Sequence, residues 1–174
     1  GVSRREGVVV SSKLLVVGAF RGGLGYVREL LTRAGLVVGD TFDRRTDGDN
    51  IEDRIDRSLP IEVSPYIVPY LNHPAWAQHK VVYVLRDPRL VIGSLLRIGY
   101  PHKLVGPRPS WYELACRSLN DYEQKYGAEG QEADAALSYV HNWYRLAGFH
   151  RPGFTSVQLE QGPLAVLQAT VGWP

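Results

Sequence analysis

Two short stretches place basic and hydroxyl side chains where they can act on an anion. Residues 18–25, Gly-Ala-Phe-Arg-Gly-Gly-Leu-Gly, follow an apolar run from Lys13 and precede apolar residues at helical spacing. Gly18 and Gly23 have the spacing of a loop that wraps backbone N–H groups around a phosphate. Arg21, inside that loop, adds a guanidinium that stays charged near neutral pH. Residues 84–96, VLRDPRLVIGSLL, again join a strand to a helix. Arg86 stands at the strand end, Asp87 is a good N-cap, and Pro88 suits the first helical position. Ser94, two turns into that helix, and Arg86 are placed to hold one phosphate from two sides. Either stretch alone also suits a tight turn or a well-capped helix. Together they predict two anion sites on one edge of a sheet, about 5–10 Å apart if the strands are neighbours or next-neighbours. That separation suits one ligand with two phosphate groups.

The elements that carry these loops are legible in the apolar pattern. Lys13–Gly18 reads as a buried strand, and Leu24, Val27, Leu30, Leu31 and Ala34 as a helix stopped at Gly35. Residues 40–58 hold seven acids and four arginines, so they are expected to form a solvated loop or mobile flap, with a short helix at Ile51–Arg57. Ile61–Ser64 predicts a short strand and Pro65–Leu71 a short helix. Lys80–Leu85, KVVYVL, is apolar on both faces and belongs in a parallel sheet covered on both sides. Helices are expected over Pro88–Ile98, Ser110–Tyr126 and Ala133–Leu146, then a strand over Phe154–Leu159 and a last helix from Pro163. The prolines and glycines of residues 99–109 predict a flexible loop. The alternation gives an α/β fold: one domain over residues 1–174, in three α/β/α layers around a mainly parallel sheet.

Composition narrows the function. A net charge of +2 gives no field for nucleic acid. No run approaches the length of a membrane span. One cysteine, Cys116, excludes an internal disulfide framework and fits a cytoplasmic location. No metal-binding spacing occurs, and no metal is expected. The chain opens on Gly1 and has no methionine, so its natural start is expected to lie upstream. The phosphate loop of magnesium-dependent nucleotide enzymes reads G-x-x-x-x-G-K-[ST]. Here Leu24 and Gly25 replace the lysine and the hydroxyl, which counts against a P-loop kinase of small molecules.

Phe20–Gly25 together with Arg86, Asp87, Pro88 and Ser94 resembles the sulfotransferases that use 3′-phosphoadenosine 5′-phosphosulfate (PAPS). That family carries a 5′-phosphosulfate loop, P-[KR]-S-G-T-[TS], after its first strand; the matching stretch here is Phe20-Arg21-Gly22-Gly23-Leu24-Gly25. Its 3′-phosphate motif is R-[DN]-P with a serine eight residues after the arginine, as at Arg86 and Ser94. Residues 157–172 are similar to the family's strand, proline, helix and short L-G. The resemblance spans Lys13–Gly172 and implies a P-loop type of nucleotide fold. It implies PAPS as co-substrate, 3′-phosphoadenosine 5′-phosphate (PAP) as product, and no metal. Phe20–Gly25, Arg86 and Ser94 would bind the nucleotide, and Arg21 would serve the bridging oxygen. Gly22, Leu24 and Gly25 depart from the family's hydroxyl residues, so a degenerate nucleotide-binding relative is the alternative.

The resemblance also implies a base for an acceptor hydroxyl or amine, on a small molecule or a peptide. Some members use a carboxylate just after the first helix. Asp40, behind Gly35–Gly39, is the first candidate, followed by Asp43 and Glu62, then His73 and His102. Trp111 and Tyr112 are candidates to stack on adenine or an aromatic acceptor, or to pack in the core. Neither the acceptor nor the oligomeric state is specified by the sequence.

Overall fold

A computed structural model describes residues 13–98 and 132–173. Strand β1 (Leu14–Gly18) is buried along its whole length. It pairs in parallel with β2 (Ile61–Val63) on one side and β3 (Lys80–Leu85) on the other, and β3 pairs in parallel with β4 (Thr155–Gln158). The sheet order is β2-β1-β3-β4. A run apolar on both faces survives only at a strand covered on both faces.

The strand period of two divides the core. Leu15, Val17, Val81 and Tyr83 point to one face, where they pack with Ile67, Val68, Trp76, Val91, Leu95, Tyr139 and Trp143. These come from a 3₁₀ helix (Pro65–Tyr70), a second one (Pro74–Trp76), α3 (Pro88–Arg97) and α4 (Glu132–His150). Leu14, Val16, Val82 and Val84 point to the other face, against Leu24, Val27, Leu31, Val166 and Val171. Those belong to α1 (Leu24–Arg33) and α5 (Pro163–Val171). The result is an α/β fold with helices on both faces of an all-parallel four-stranded sheet.

Helix α2 (Ile51–Arg57) lies where expected inside the charged segment. The remainder of that segment is a set of hydrogen-bonded turns: Asp43 accepts from the Arg45 N–H, Thr46 Oγ1 from the Asp43 N–H, and Asp47 from the Asn50 N–H. Its buried arginine, Arg54, donates to Asn50 and to the Thr41 carbonyl, 2.6 Å away. A third 3₁₀ turn, Leu159–Gln161, links β4 to α5. The helix expected at Ser110–Tyr126 and the loop at 99–109 lie outside the described residues. Among the described residues, no helix is long and apolar enough to cross a membrane.

Candidate functional site

β1 and β3 are neighbours, with Gly18 opposite Val84, so their following loops emerge side by side at the carboxyl edge of the sheet. Ligands of open α/β sheets sit at that edge. The first loop turns sharply: the Gly22 N–H donates to the Ala19 carbonyl at 3.0 Å. A side chain at Gly22 would stand 2.8 Å from that same oxygen, so the family's serine does not fit this turn. Gly23 has φ 89° and faces Leu159, whose Cδ2 occupies the place of a Cβ. Gly23 also serves as the N-cap of α1 without any side-chain cap, and no acid occupies the first turn. The N–H groups of the first turn, without an intrahelical partner, carry partial positive charge at the mouth of the loop.

Arg21 is the one described non-glycine residue with positive φ, at 63°. Such a conformation costs on the order of 1 kcal/mol and persists only where contacts hold it. Here they do: Arg21 Nε donates to Ser94 Oγ at 2.8 Å, and Arg86 donates to the Arg21 carbonyl at 2.9 Å. Ser94 is buried. The two predicted anion sites are therefore one constellation, with Arg21 hydrogen-bonded to both halves of the second motif. Asp87 caps α3 by accepting from the Arg89 N–H. The Arg89 hydrogen bonds hold the Asp87 carboxyl below the usual carboxylate range. The Asp87 N–H donates to Glu160 at 2.7 Å, which ties the residue 157–172 segment to the second motif.

Phe20 points inward. Its N–H donates to the buried Tyr139 hydroxyl at 3.0 Å, and its ring packs on Tyr66, Tyr139 and Trp143. Phe20 is half-buried and Leu24 is buried, and both line the cleft. Phe20, Arg21, Gly23, Leu24, Gly25, Arg86 and Ser94 share a cleft of about 530 Å³ with Tyr66 and Pro65. Gly22 is buried in the turn behind it.

The candidate bases separate clearly. A second cleft, of about 800 Å³, shares Leu24, Gly25, Pro65 and Tyr66 with the first and holds Asp40 and Asp43. Asp40 is exposed, while its neighbours are pinned. The Gly39 N–H donates to the Ile61 carbonyl at 2.8 Å, and the Gly39 carbonyl accepts from Arg28 at 2.5 Å. The Thr41 hydroxyl donates to Glu62 at 2.5 Å, and the Thr41 carbonyl accepts from Arg54. Asp40 is thus a carboxylate on a fixed backbone, with no side-chain partner among the described residues. Partial burial pushes the Asp43 carboxyl up, but hydrogen bonds from Arg45 and the charges of Arg54 and Arg45 outweigh it and hold Asp43 below the usual range. A carboxylate so stabilised is a poor base.

Glu62 is fully buried and accepts from Thr41 and from the Leu59 N–H at 2.9 Å, so it braces the Asp40 loop and cannot meet an acceptor. His73 is engaged as well: Nδ1 accepts from the Ala75 N–H and caps a 3₁₀ turn, which leaves the proton on Nε2, 2.7 Å from Glu52. His102, Trp111 and Tyr112 lie outside the described residues. Sequence reading missed Tyr139, Tyr66 and Arg28. Tyr139 and Arg28 sit at ordinary positions in their helices, and their roles arise from contacts distant in sequence. Burial, aided by the Asp43 charge, pushes the Tyr66 phenol up, so it remains an O–H donor on the wall between the clefts. The chain matches no family model, no curated protein and no solved structure.

Proposed function

We propose that this protein is a PAPS-dependent sulfotransferase of P-loop type, acting on a hydroxyl or amine. The observation that carries the reading is the Ser94–Arg21–Arg86 constellation beside the uncapped start of α1. It gathers permanent positive charge, a buried hydroxyl and free N–H groups at one sheet edge, a combination suited to an anion with two charged ends. A cleft of about 530 Å³ lies within the range of nucleotide and cofactor sites, roughly 300–1,000 Å³. Arg86 and Ser94 would hold the 3′-phosphate, and Arg21 and the loop N–H groups the phosphosulfate end.

PAPS supplies an activated sulfuryl group. The chain supplies position and charge, which suffice for group transfer from an anionic donor by analogy with phosphoryl transfer. Asp40, across the Gly25–Tyr66 wall, takes the acceptor's proton. The position of a Walker lysine is filled by Leu24, buried in the core, and that of the metal-binding hydroxyl by Gly25. The residue types thus favour sulfuryl transfer over a magnesium-nucleotide kinase.

Thermal denaturation with PAP and with AMP tests the reading. PAP at 100 times its dissociation constant should add about 2.7 kcal/mol of stability. AMP should add much less, and Ser94→Ala should shrink the difference. Equal shifts from both nucleotides would remove the 3′-phosphate assignment. PAP binding without turnover across an acceptor panel would leave a binding protein.

A further inference from the structure

The second cleft carries a charge that has no ion-pair partner among the described residues. Arg28, on α1, is half-buried in its wall. Its guanidinium is fixed by two backbone carbonyls, Gly39 at 2.5 Å and Val63 at 2.6 Å. Carbonyl dipoles orient a guanidinium but leave its charge in place. No carboxylate among the described residues lies within ion-pairing distance of it. The other arginines nearby differ: Arg45 pairs with Asp43 at 3.0 Å and Arg54 with the same carboxylate at 3.3 Å. A half-buried charge without a counter-ion is partly desolvated, and an anion brought to it gains more than at an open surface. Because the fork is already fixed, little side-chain entropy remains to be lost when an oxyanion meets its remaining N–H groups. Arg44 adds a second guanidinium on the rim. Phe42, Val63, Pro65 and the Tyr66 ring supply an apolar floor, and Asp40 sits at the same cleft.

We propose that this cleft takes an acceptor that carries an oxyanion, a carboxylate or phosphate-type group, as well as the hydroxyl to be modified. Arg28 meets the oxyanion and Asp40 meets the hydroxyl. The proposal rests on the sulfotransferase reading only for the transfer itself. There the acceptor oxygen forms a bond to sulfur while the bond from sulfur to the donor's bridging oxygen breaks. The electron pair leaves on PAP and the hydroxyl proton passes to Asp40. Binding of the oxyanion needs no nucleotide.

Matched probes test it: 4-hydroxyphenylacetate, its primary amide, and tyramine, titrated calorimetrically into the full chain with and without PAP. The acid should bind about tenfold more tightly than the amide, and tyramine weakest of all. Arg28→Lys should erase most of that preference while the affinity for the amide changes little. If this variant fails to fold, Arg44→Gln, on the exposed rim, should still narrow the gap between acid and amide. Equal affinity for acid and amide in the wild type overturns the proposal, and so does an Arg28→Lys effect that is the same for both. If PAP binds while the probes are not distinguished, the anionic acceptor fails and the nucleotide reading stands. If the acid is preferred while PAP does not bind, the nucleotide reading fails and the oxyanion cleft stands.

Discussion

Gly39→Ala should damage this protein out of proportion to the size of a methyl group. A Cβ at residue 39 would fall on the Glu62 carboxylate, 2.5 Å from Oε2 and closer still to Oε1 and Cδ. That carboxylate cannot step aside freely, because it is fully buried and holds the Leu59 N–H and the Thr41 hydroxyl. Overpacking of a tight site costs about 1–3 kcal/mol. Loosening a hydrogen bond to a charged group adds about 1.5–3 kcal/mol. Partial relaxation of both leaves an expected loss of about 3 kcal/mol, which lowers Tm by roughly 6–12 °C for a chain of this size. Urea and thermal denaturation of Gly39→Ala, Glu62→Ala and the double variant form the assay. Once the carboxylate is gone, the methyl has room, so Gly39→Ala should cost less than about 0.5 kcal/mol in the Glu62→Ala background. The coupling should therefore exceed about 1 kcal/mol. An equal cost in both backgrounds would refute the reasoning, since the loss would then come from the backbone and not from the packed pair.

Asp40→Asn should keep PAP binding and lower turnover by about 10²- to 10⁴-fold, with the acidic limb of the pH–rate profile lost; unchanged turnover would remove Asp40 as the base. Asp43 contributes stability that is present above the ordinary carboxylate pKa and fades as pH falls through its depressed value. Melting curves from pH 6 down to pH 2 should thus be flatter on the acid side for Asp43→Asn than for the wild type, and parallel curves would deny the Arg45 and Arg54 pairing any energetic weight.

The elements were readable because their signals are local. The β1 and β3 runs are apolar on both faces, and Asp87 with Pro88 announces α3 at the residue where it begins. The loop arginine, the second arginine and the serine could likewise be picked out by type and spacing. Their mutual arrangement could not. That Arg21 turns back onto Ser94 depends on the side-by-side placement of β1 and β3, which composition does not encode. The sequence places Asp40 ahead of Asp43 and Glu62, but not for the physical reason that separates them. Asp40, Asp43 and Glu62 look alike as carboxylates. Among the described residues Asp40 has no side-chain partner, Asp43 is paired with the adjacent Arg45 and the more distant Arg54, and Glu62 is held by the nearby Leu59 N–H and by Thr41 from across the sheet edge. Glu62 at a strand mouth reads as a reactive position, yet the Gly39 backbone covers it.

The contact between Arg21 and Ser94 has a consequence for affinity. In that contact the guanidinium donates and the serine oxygen accepts, so the Ser94 O–H is left to donate to a second acceptor. A phosphate at Ser94 would accept from that hydroxyl while Arg21 stays in place beside it. The Arg21 carbonyl is the group that competes, because it already accepts an Arg86 N–H. An anion that needs that N–H binds with its intrinsic affinity scaled by the fraction of molecules in which Arg86 has let go of residue 21. The left-handed backbone at Arg21 works the other way, because strain held by those contacts is released when they part. On the proposed reading, residue 21 is thus a tuning weight on nucleotide affinity, and substitutions there should retune it without altering Ser94 or Arg86.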